Sequence, residues 1–253
     1  MNNIEIEELL RLAEMTAHKA GSFLLEYSAV KKEVIEEPEK DIKIRADKES
    51  EALIIKELSR SVDFPILSEE SGFLNSSNTS ATQEFRWIID PLDGSVNYAR
   101  GIPLGSVSIA LWSQEEPVLG VVYDFYRDEL FKGIVGKCAY LNNNAIQVSI
   151  VAEKSKGIIC TGFPVSMDYD DNSLQQFIDY VKVFKKVRLL GSAALSLAYI
   201  AAGRADIYCE KNIKIWDVAA GLALVRSAGG ALQYYRTKSN TVYYVQASNG
   251  LIA

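Results

Sequence analysis

The chain has 253 residues, 48% hydrophobic and 24% charged, enough to bury a sizeable core in one large domain or two small ones sharing an interface. Its formal charge of -6 argues against a nucleic-acid-backbone binder, which needs a basic face to displace counterions. A single histidine, His18, sits within an expected N-terminal helix, where a surface position is expected, and a Ser-His-Asp triad, a His-rich zinc site or a phosphohistidine mechanism would all have to pass through it.

The elements follow in chain order. Ile6 to Tyr27 places Leu9, Leu12, Ala13, Ala20, Phe23 and Leu24 on one helical stripe, and its acidic start is unlike a secretory signal, so a cytoplasmic location is expected. Val30 to Lys43, interrupted by Pro38, reads as a solvated loop or β-excursion. A second helix fits Asp47 to Ser61, and Ser71 to Gln83, dense in Ser, Asn and Thr, reads as a mobile loop. Arg86–Ile89, Ser106–Trp112, Pro117–Tyr126 and Glu129–Val135 are rich in β-branched and aromatic residues and predict an antiparallel sheet, followed by an Asn-rich turn at Leu141–Ala145.

From about Lys156 strands and helices alternate: strand Gly157–Thr161, helices Ser173–Phe184 and Ala194–Ala202, strand Ala205–Cys209, helix Trp216–Ala228, and strands Ala231–Tyr235 and Thr241–Ala247. The predicted organisation is an N-terminal α+β half, residues 1–145, holding most acidic site residues, and a C-terminal α/β half, residues 146–253. The most apolar run, Leu189 to Gly203, falls short of the roughly 20 residues that span a bilayer and reads as a buried helix of small residues. Cys138, Cys160 and Cys209 show no CxxC spacing and read as small buried residues in a reducing compartment.

With histidine nearly absent, chemistry falls to carboxylates, hydroxyls and metal ions. In Arg86 to Ser95 (RWIIDPLDGS) an apolar strand ends at Asp90, Pro91 stiffens the exit and Gly94 permits a sharp turn. Asp90 and Asp93 can then aim two carboxylates at one spot, where hard oxygen donors suit Mg²⁺. Asp-Pro and Asp-Gly are also ordinary turn dipeptides, and the segment alone leaves both readings open. Glu69 and Glu70 after the apolar stretch Phe64–Leu67 also read as solubility charges, and Asp217 as a helix N-cap; Asp47 is ambiguous in the same way.

The order of these segments is more specific than any one of them. DIKIRAD at Asp41, SEES at Ser68, WIIDPLDGSVN at Trp87, GIPLGSVSIALW at Gly101, GVVYDFYRDELF at Gly120, RLLGSAALSLAYIAAGRADIYCE at Arg188 and IKIWDVAAGLALVRSAGGAL at Ile213 together resemble the inositol monophosphatase family, lithium-sensitive phosphatases, over nearly the whole length. The resemblance implies an α+β / α/β fold, a layered αβαβα sandwich, and a homodimer. It also implies a magnesium-dependent phosphomonoesterase acting on a small phosphorylated metabolite, with two or three Mg²⁺ per subunit and Mn²⁺ as a substitute.

Carried over residue by residue, Glu69, Asp90 and the Leu92 carbonyl bind the first metal and Asp90, Asp93 and Asp217 the second, with Glu69 also touching a weaker third. Glu70 orders water, Asp47 hydrogen-bonds the hydroxyl of Ser95, and Ser95 orients the attacking water; the amides of Gly94 and Ser95 receive phosphate oxygens, and Asp93 is also among the substrate contacts. The implied mechanism is direct in-line attack by metal-activated water without a phosphoenzyme. Two departures stand out: Ser95 replaces the usual Thr of DGT, keeping the hydroxyl, and Ile44 replaces a Thr common in D-x-V-T-x-x-D.

For the substrate, Glu210 matches a glutamate that accepts ring hydroxyls, and Gly191, Ser192 and Ala193 a stretch beside the same ring, which favours inositol 1-phosphate or a similar polyol phosphate. Glu210 also reads as an exposed strand-end charge. Bisphosphonucleotide, sugar-bisphosphate and histidinol-phosphate activities, and a regulatory protein-binding role on the same fold, stay open. Nothing in the sequence indicates a nucleic-acid, protein or membrane partner. The segment Val30–Lys43 resembles a mobile loop over the metal site.

Overall fold

The structure is a computed structural model and describes residues 3–30, 34–36, 43–74, 84–163 and 170–252. Helix α1 is Asn3–Val30 and α2 is Arg45–Ser61; between them β1 (Val34–Glu36) and β2 (Lys43–Ile44) pair antiparallel, the β-excursion expected there. The loop expected at Ser71–Gln83 starts as a strand: β4 (Gly72–Leu74) pairs antiparallel with β3 (Ile66–Ser68), and residues 75–83 lie outside the described residues. Then come β5 (Phe85–Asp93), α3 (Ser95–Arg100), β6 (Ser106–Ser113), β7 (Glu116–Asp124), β8 (Glu129–Ile134), β9 (Ala139–Leu141) and β10 (Asn144–Ile146). The C-terminal part supplies β11 (Ile158–Cys160), α4 (Asp171–Val181), β12 (Lys186–Arg188), α5 (Ala193–Ala201), β13 (Ile207–Lys214), α6 (Ile215–Ser227), β14 (Ala231–Arg236) and β15 (Val242–Ser248).

Among the described residues, strands β10-β9-β8-β7-β6-β5-β3-β4 form an eight-stranded sheet and β12-β11-β13-β15-β14 a five-stranded one. The larger sheet is antiparallel except for the β3–β5 pair. Side chains alternate across a strand, so β5 sends Trp87 and Ile89 to one face and Ile88 to the other. Trp87 and Ile89 meet α1 and α2 through Ala13, Leu24, Ile54 and Leu58. Ile88, with Trp112 and Val122, meets α5 and α6, which the five-stranded sheet covers from the other side through Tyr208, Val245 and Ala247. On the outer face of that sheet, Val181 of α4 and Phe184 pack on Ile159 and Ile207. Helices, sheet, helices, sheet, helix: the layered αβαβα sandwich is observed. Each fully buried large side chain contributes about 1.5–3 kcal/mol relative to exposure, and both sheets are clamped to the middle helices this way.

The middle layer owes its closeness to small residues. A Cβ on Gly120 of β7 would collide with the backbone carbonyl of Ala220 on α6, and one on Gly221 would meet Leu197 of α5. Backbone therefore lies against backbone where α6 crosses the sheet.

Two expectations about single residues need correction. His18 is half-buried and sets its ring edge-on to Tyr123, centroids 4.4 Å apart, because α1 lies on the sheet and turns this position inward. Cys138 is exposed in the connection from β8 to β9 and Cys209 half-buried, while Cys160 is buried; all three cysteines are free. No helix among the described residues is long and apolar enough to cross a membrane.

Candidate metal centre

Three acidic segments meet where β3, β5 and α6 converge. Carboxylate oxygens of Glu69, Asp90 and Asp217 lie within 4.8 Å of one another. Glu69 follows β3, Asp90 stands within β5, and Asp217 is the third residue of α6. Lys214 is the N-cap of α6, so Asp217 is not the cap. Strand β5 continues through Pro91, which a central strand does not ordinarily tolerate. A register shift against β6 between Asp90 and Asp93 accommodates it, and such irregularities re-aim side chains beside active sites. Asp90 also folds back to accept the Leu92 N–H at 3.0 Å.

Burial, followed by the charges of Glu69, Asp93 and Asp217, pushes the Asp90 carboxyl well above the carboxylate range. Burial and the charges of Glu69, Asp93 and Glu210 do the same to Asp217. Among the described residues, neither Asp90, Asp93 nor Asp217 forms a salt bridge with a lysine or arginine. Carboxylates crowded this closely suit a hard, oxygen-preferring ion as counter-charge, and Mg²⁺ is such an ion.

Asp93 stands outside the 4.8 Å group. Its Oδ2 accepts from the hydroxyl of Ser192 and from the backbone N–H of Ala194 at 2.9 Å, at the start of α5. Burial raises its carboxyl to about 6, and these hydrogen bonds oppose the rise. Ser192 also caps α5, accepting from the Leu195 N–H at 3.2 Å.

The chain after Asp93 turns sharply. Gly94 has φ 94° and no room for a side chain, since a Cβ would lie 2.8 Å from the Leu104 carbonyl. Ser95 then opens α3, too short a helix for periodicity to reveal. Its Oγ lies 2.9 Å from the Leu92 carbonyl and 3.2 Å from Asp47 Oδ1, in position to donate to either. Glu70 lies beside Glu69 in the turn before β4 and is half-buried.

Helix α2 holds these segments in register, a role the sequence reading missed. Asp47, Ser50 and Glu51, spaced i, i+3 and i+4, share one helical face. Asp47 meets Ser95, Ser50 donates to the Pro91 carbonyl at 3.0 Å, and buried Glu51 binds the turn that carries Glu69 and Glu70. Glu51 accepts from the Ser68 hydroxyl, from the Ser71 N–H at 3.0 Å and from the Ser71 hydroxyl at 2.6 Å. The three lie on the same buried face as Ala46, Ile54 and Leu58, and that shared stripe was the available signal.

A cavity of about 230 Å³ opens beside the centre, lined among others by Asp93, Gly191, Ser192, Ala193, Tyr208, Glu210 and Asp217. It brings together five of the residues expected at a substrate; Gly94 and Ser95 are not in its lining. Asn97 of α3 fixes the Gly191 turn, donating to the Leu190 carbonyl at 2.8 Å. Glu210 is only 8% exposed, which removes the reading of a strand-end surface charge. It accepts from the Tyr208 hydroxyl at 2.8 Å, and burial raises its carboxyl to about 7 against that hydrogen bond.

Comparison with known proteins agrees with this geometry. Residues 5–253 match the model of the inositol monophosphatase family. An inositol-1-monophosphatase of Synechocystis sp. is 41% identical, the alignment covering 77% of this chain and 67% of that protein. The Escherichia coli K12 protein named Nus factor SuhB is 36% identical over 88% of this chain and 83% of its own. The solved inositol monophosphatase of Anabaena (Nostoc) sp. superposes with a TM-score of 0.83 and 37% identity, covering 98% of this chain and 92% of that one. Motif order, layered fold and whole-chain similarity converge: the chain belongs to the inositol monophosphatase family.

Proposed function

We propose that the protein is a magnesium-dependent phosphomonoesterase whose substrate is inositol 1-phosphate or a similar small polyol phosphate. The convergence of Glu69, Asp90 and Asp217 beside a cleft that contains Glu210 is the observation that carries this reading. Glu69, Asp90, Asp93, Asp217 and the Leu92 carbonyl would hold two or three Mg²⁺, or Mn²⁺ in their place. Bound there, the ions lower the pKa of water toward neutrality and offset charge on the phosphoryl group and leaving oxygen.

The remaining work falls to the chain itself. Asp47 accepts the hydroxyl proton of Ser95, which leaves Ser95 Oγ lone pairs to accept a proton of the incoming water and fix its direction. Glu70 holds a second proton of that water, and its place next to Glu69 in a turn braced by Glu51 suits the task. The N–H groups of Gly94 and Ser95 receive phosphate oxygens at the start of α3. Glu210 accepts substrate hydroxyls, and Gly191, Ser192 and Ala193 form the wall opposite. With Asp93 held by α5, the leaving side of the site is tied to the same helix that shapes this wall.

The test is phosphate release from inositol 1-phosphate, adenosine 3′,5′-bisphosphate, fructose 1,6-bisphosphate and histidinol phosphate, with magnesium and with EDTA. Magnesium-dependent turnover led by inositol 1-phosphate is expected; a bisphosphate or histidinol phosphate in the lead would assign another branch of the family. A second reading, a protein-binding role on the same fold, draws support from relatives named Nus factor SuhB. Silence across the panel together with capture of a stoichiometric protein partner would favour it. A homodimer and a cytoplasmic location complete the reading; light scattering of the purified protein checks the first.

A further inference from the structure

The loop that joins α3 to β6, residues 101–105, forms the outer wall of the turn at Gly94. It begins on α3 itself, where the N–H of Gly101 donates to the Tyr98 carbonyl at 3.1 Å and that of Ile102 to the Asn97 carbonyl at 2.9 Å. It ends against the turn: the Leu104 carbonyl occupies the space a Gly94 side chain would need, and Ser106 pairs with Asp93. Main chain lies on main chain here, so a displacement of Leu104 is a displacement of Gly94.

Between those two ends stands Pro103. A proline has no N–H to give, so its polar hold on the fold runs through its carbonyl. That carbonyl accepts from Arg127 Nη1 at 3.0 Å. Arg127 lies in the turn from β7 to β8, and the same Nη1 donates to Asp124 Oδ2, also at 3.0 Å. The Asp124 side chain is fully buried, and its Oδ1 accepts the N–H groups of Tyr126 and Arg127, each at 3.1 Å. One buried carboxylate therefore shapes the turn and aims the guanidinium across to the loop. Burial pushes the Asp124 carboxyl above its ordinary range, and Arg127 opposes that rise.

We infer that Arg127 is a positioning residue for the phosphate-receiving turn, holding Gly94 and Ser95 in place through Pro103 and Leu104. Arg127 is not in the lining of the cleft, so it acts through the loop and not on the substrate. The role given to the two amides rests on the phosphatase reading. A guanidinium suits the task, because its charge balances Asp124 while its planar donors keep a fixed direction.

The test uses inorganic phosphate both as inhibitor and as ligand, with the native protein, Arg127→Met and Arg127→Lys. KM and kcat for inositol 1-phosphate and the inhibition constant of phosphate are read with magnesium. The magnesium requirement is read at saturating substrate, and phosphate binding by calorimetry with magnesium present. In Arg127→Met the phosphate constant and KM should rise together by about tenfold, the scale of one lost hydrogen bond from a charged donor. The magnesium requirement should stay native. Arg127→Lys, which keeps a cation beside Asp124 and so guards the fold, should show the same pattern in smaller measure. Native phosphate inhibition and KM in a folded variant would overturn the inference. So would a fall in kcat with the phosphate constant unmoved, or a magnesium requirement that shifts as far as the phosphate constant. A native protein that binds phosphate but hydrolyses nothing would remove the phosphatase reading, while weaker phosphate binding by Arg127→Met would still uphold the positioning of the turn.

Discussion

The carboxylate of Asp93 accepts the backbone N–H of Ala194 at 2.9 Å, joining the end of β5 to the start of α5 across 101 residues of chain. The same oxygen accepts from Ser192, whose hydroxyl also caps α5. One side chain thus orients an acid at the centre and closes a helix end.

Ser192→Ala should therefore have two effects. Loss of a cap and of a hydrogen bond to a charged group costs about 2 kcal/mol of stability, readable from urea unfolding. Asp93, with one donor fewer, is less firmly oriented, so half-maximal activity should need several-fold more magnesium. An unchanged magnesium requirement would mean that Asp93 does not contribute to the ion site.

Asp90→Asn separates fold from chemistry. Removing one of several crowded negative charges relieves repulsion, so in EDTA the thermal midpoint should rise or hold. Magnesium should no longer raise it, and turnover should fall by at least about a hundredfold, a loss of roughly 2.7 kcal/mol in transition-state stabilisation. Near-normal turnover in this variant would sink the metal assignment.

The metal-free protein should lose stability as pH rises. Asp93 at about 6, Glu210 at about 7, and Asp90 and Asp217 above their ordinary range all bind protons more tightly folded than unfolded. Their stabilisation is complete below the unfolded carboxyl values, about pH 4, and is lost as pH climbs through the folded ones. In EDTA the thermal midpoint should therefore fall between pH 5 and pH 8. Magnesium, which binds the deprotonated set, should flatten or reverse that slope. A midpoint in EDTA that climbs with pH would contradict the burial of these acids.

Glu51→Gln tests the brace beneath Glu69 and Glu70. The amide keeps one acceptor oxygen, which can still take the Ser68 hydroxyl and the Ser71 N–H, but it places an NH₂ where the Ser71 hydroxyl now donates. A loss of about 1–3 kcal/mol is expected. The rate should fall more than the affinity for substrate, because the side chain touches the turn and not the cleft. A variant with native kcat would show that the turn keeps its shape without this contact.

Much of the architecture was legible in the residues. Helices α1, α2, α5 and α6 follow from apolar spacing, and the strands of the larger sheet from β-branched and aromatic runs. Harder to read was what happens where elements meet. Strand β5 passes through Pro91 because its partner β6 absorbs a register shift, a fact held by the pairing and not by either strand alone. Short pieces such as α3, β4 and β12 carry too few residues for a period to show. Asp90 and Asp93 were expected to aim at one spot, but spacing within a segment says nothing of the donors across the fold that hold Asp93. Glu51 was overlooked because a buried acid in a helix looks, in sequence, like any surface charge.

The contact between Gly120 and the Ala220 carbonyl has a consequence for how this protein can change. Asp217 is delivered by a helix seated on the sheet through main chain, so the spacing of the acids has a reference that drifting core side chains do not move. A lineage, or a directed-evolution library, can therefore remodel the cleft wall around Phe163, Ala193 and Ile213 to admit new leaving groups while the hydrolytic centre keeps its dimensions. Position 120 itself is the one such a library should leave alone.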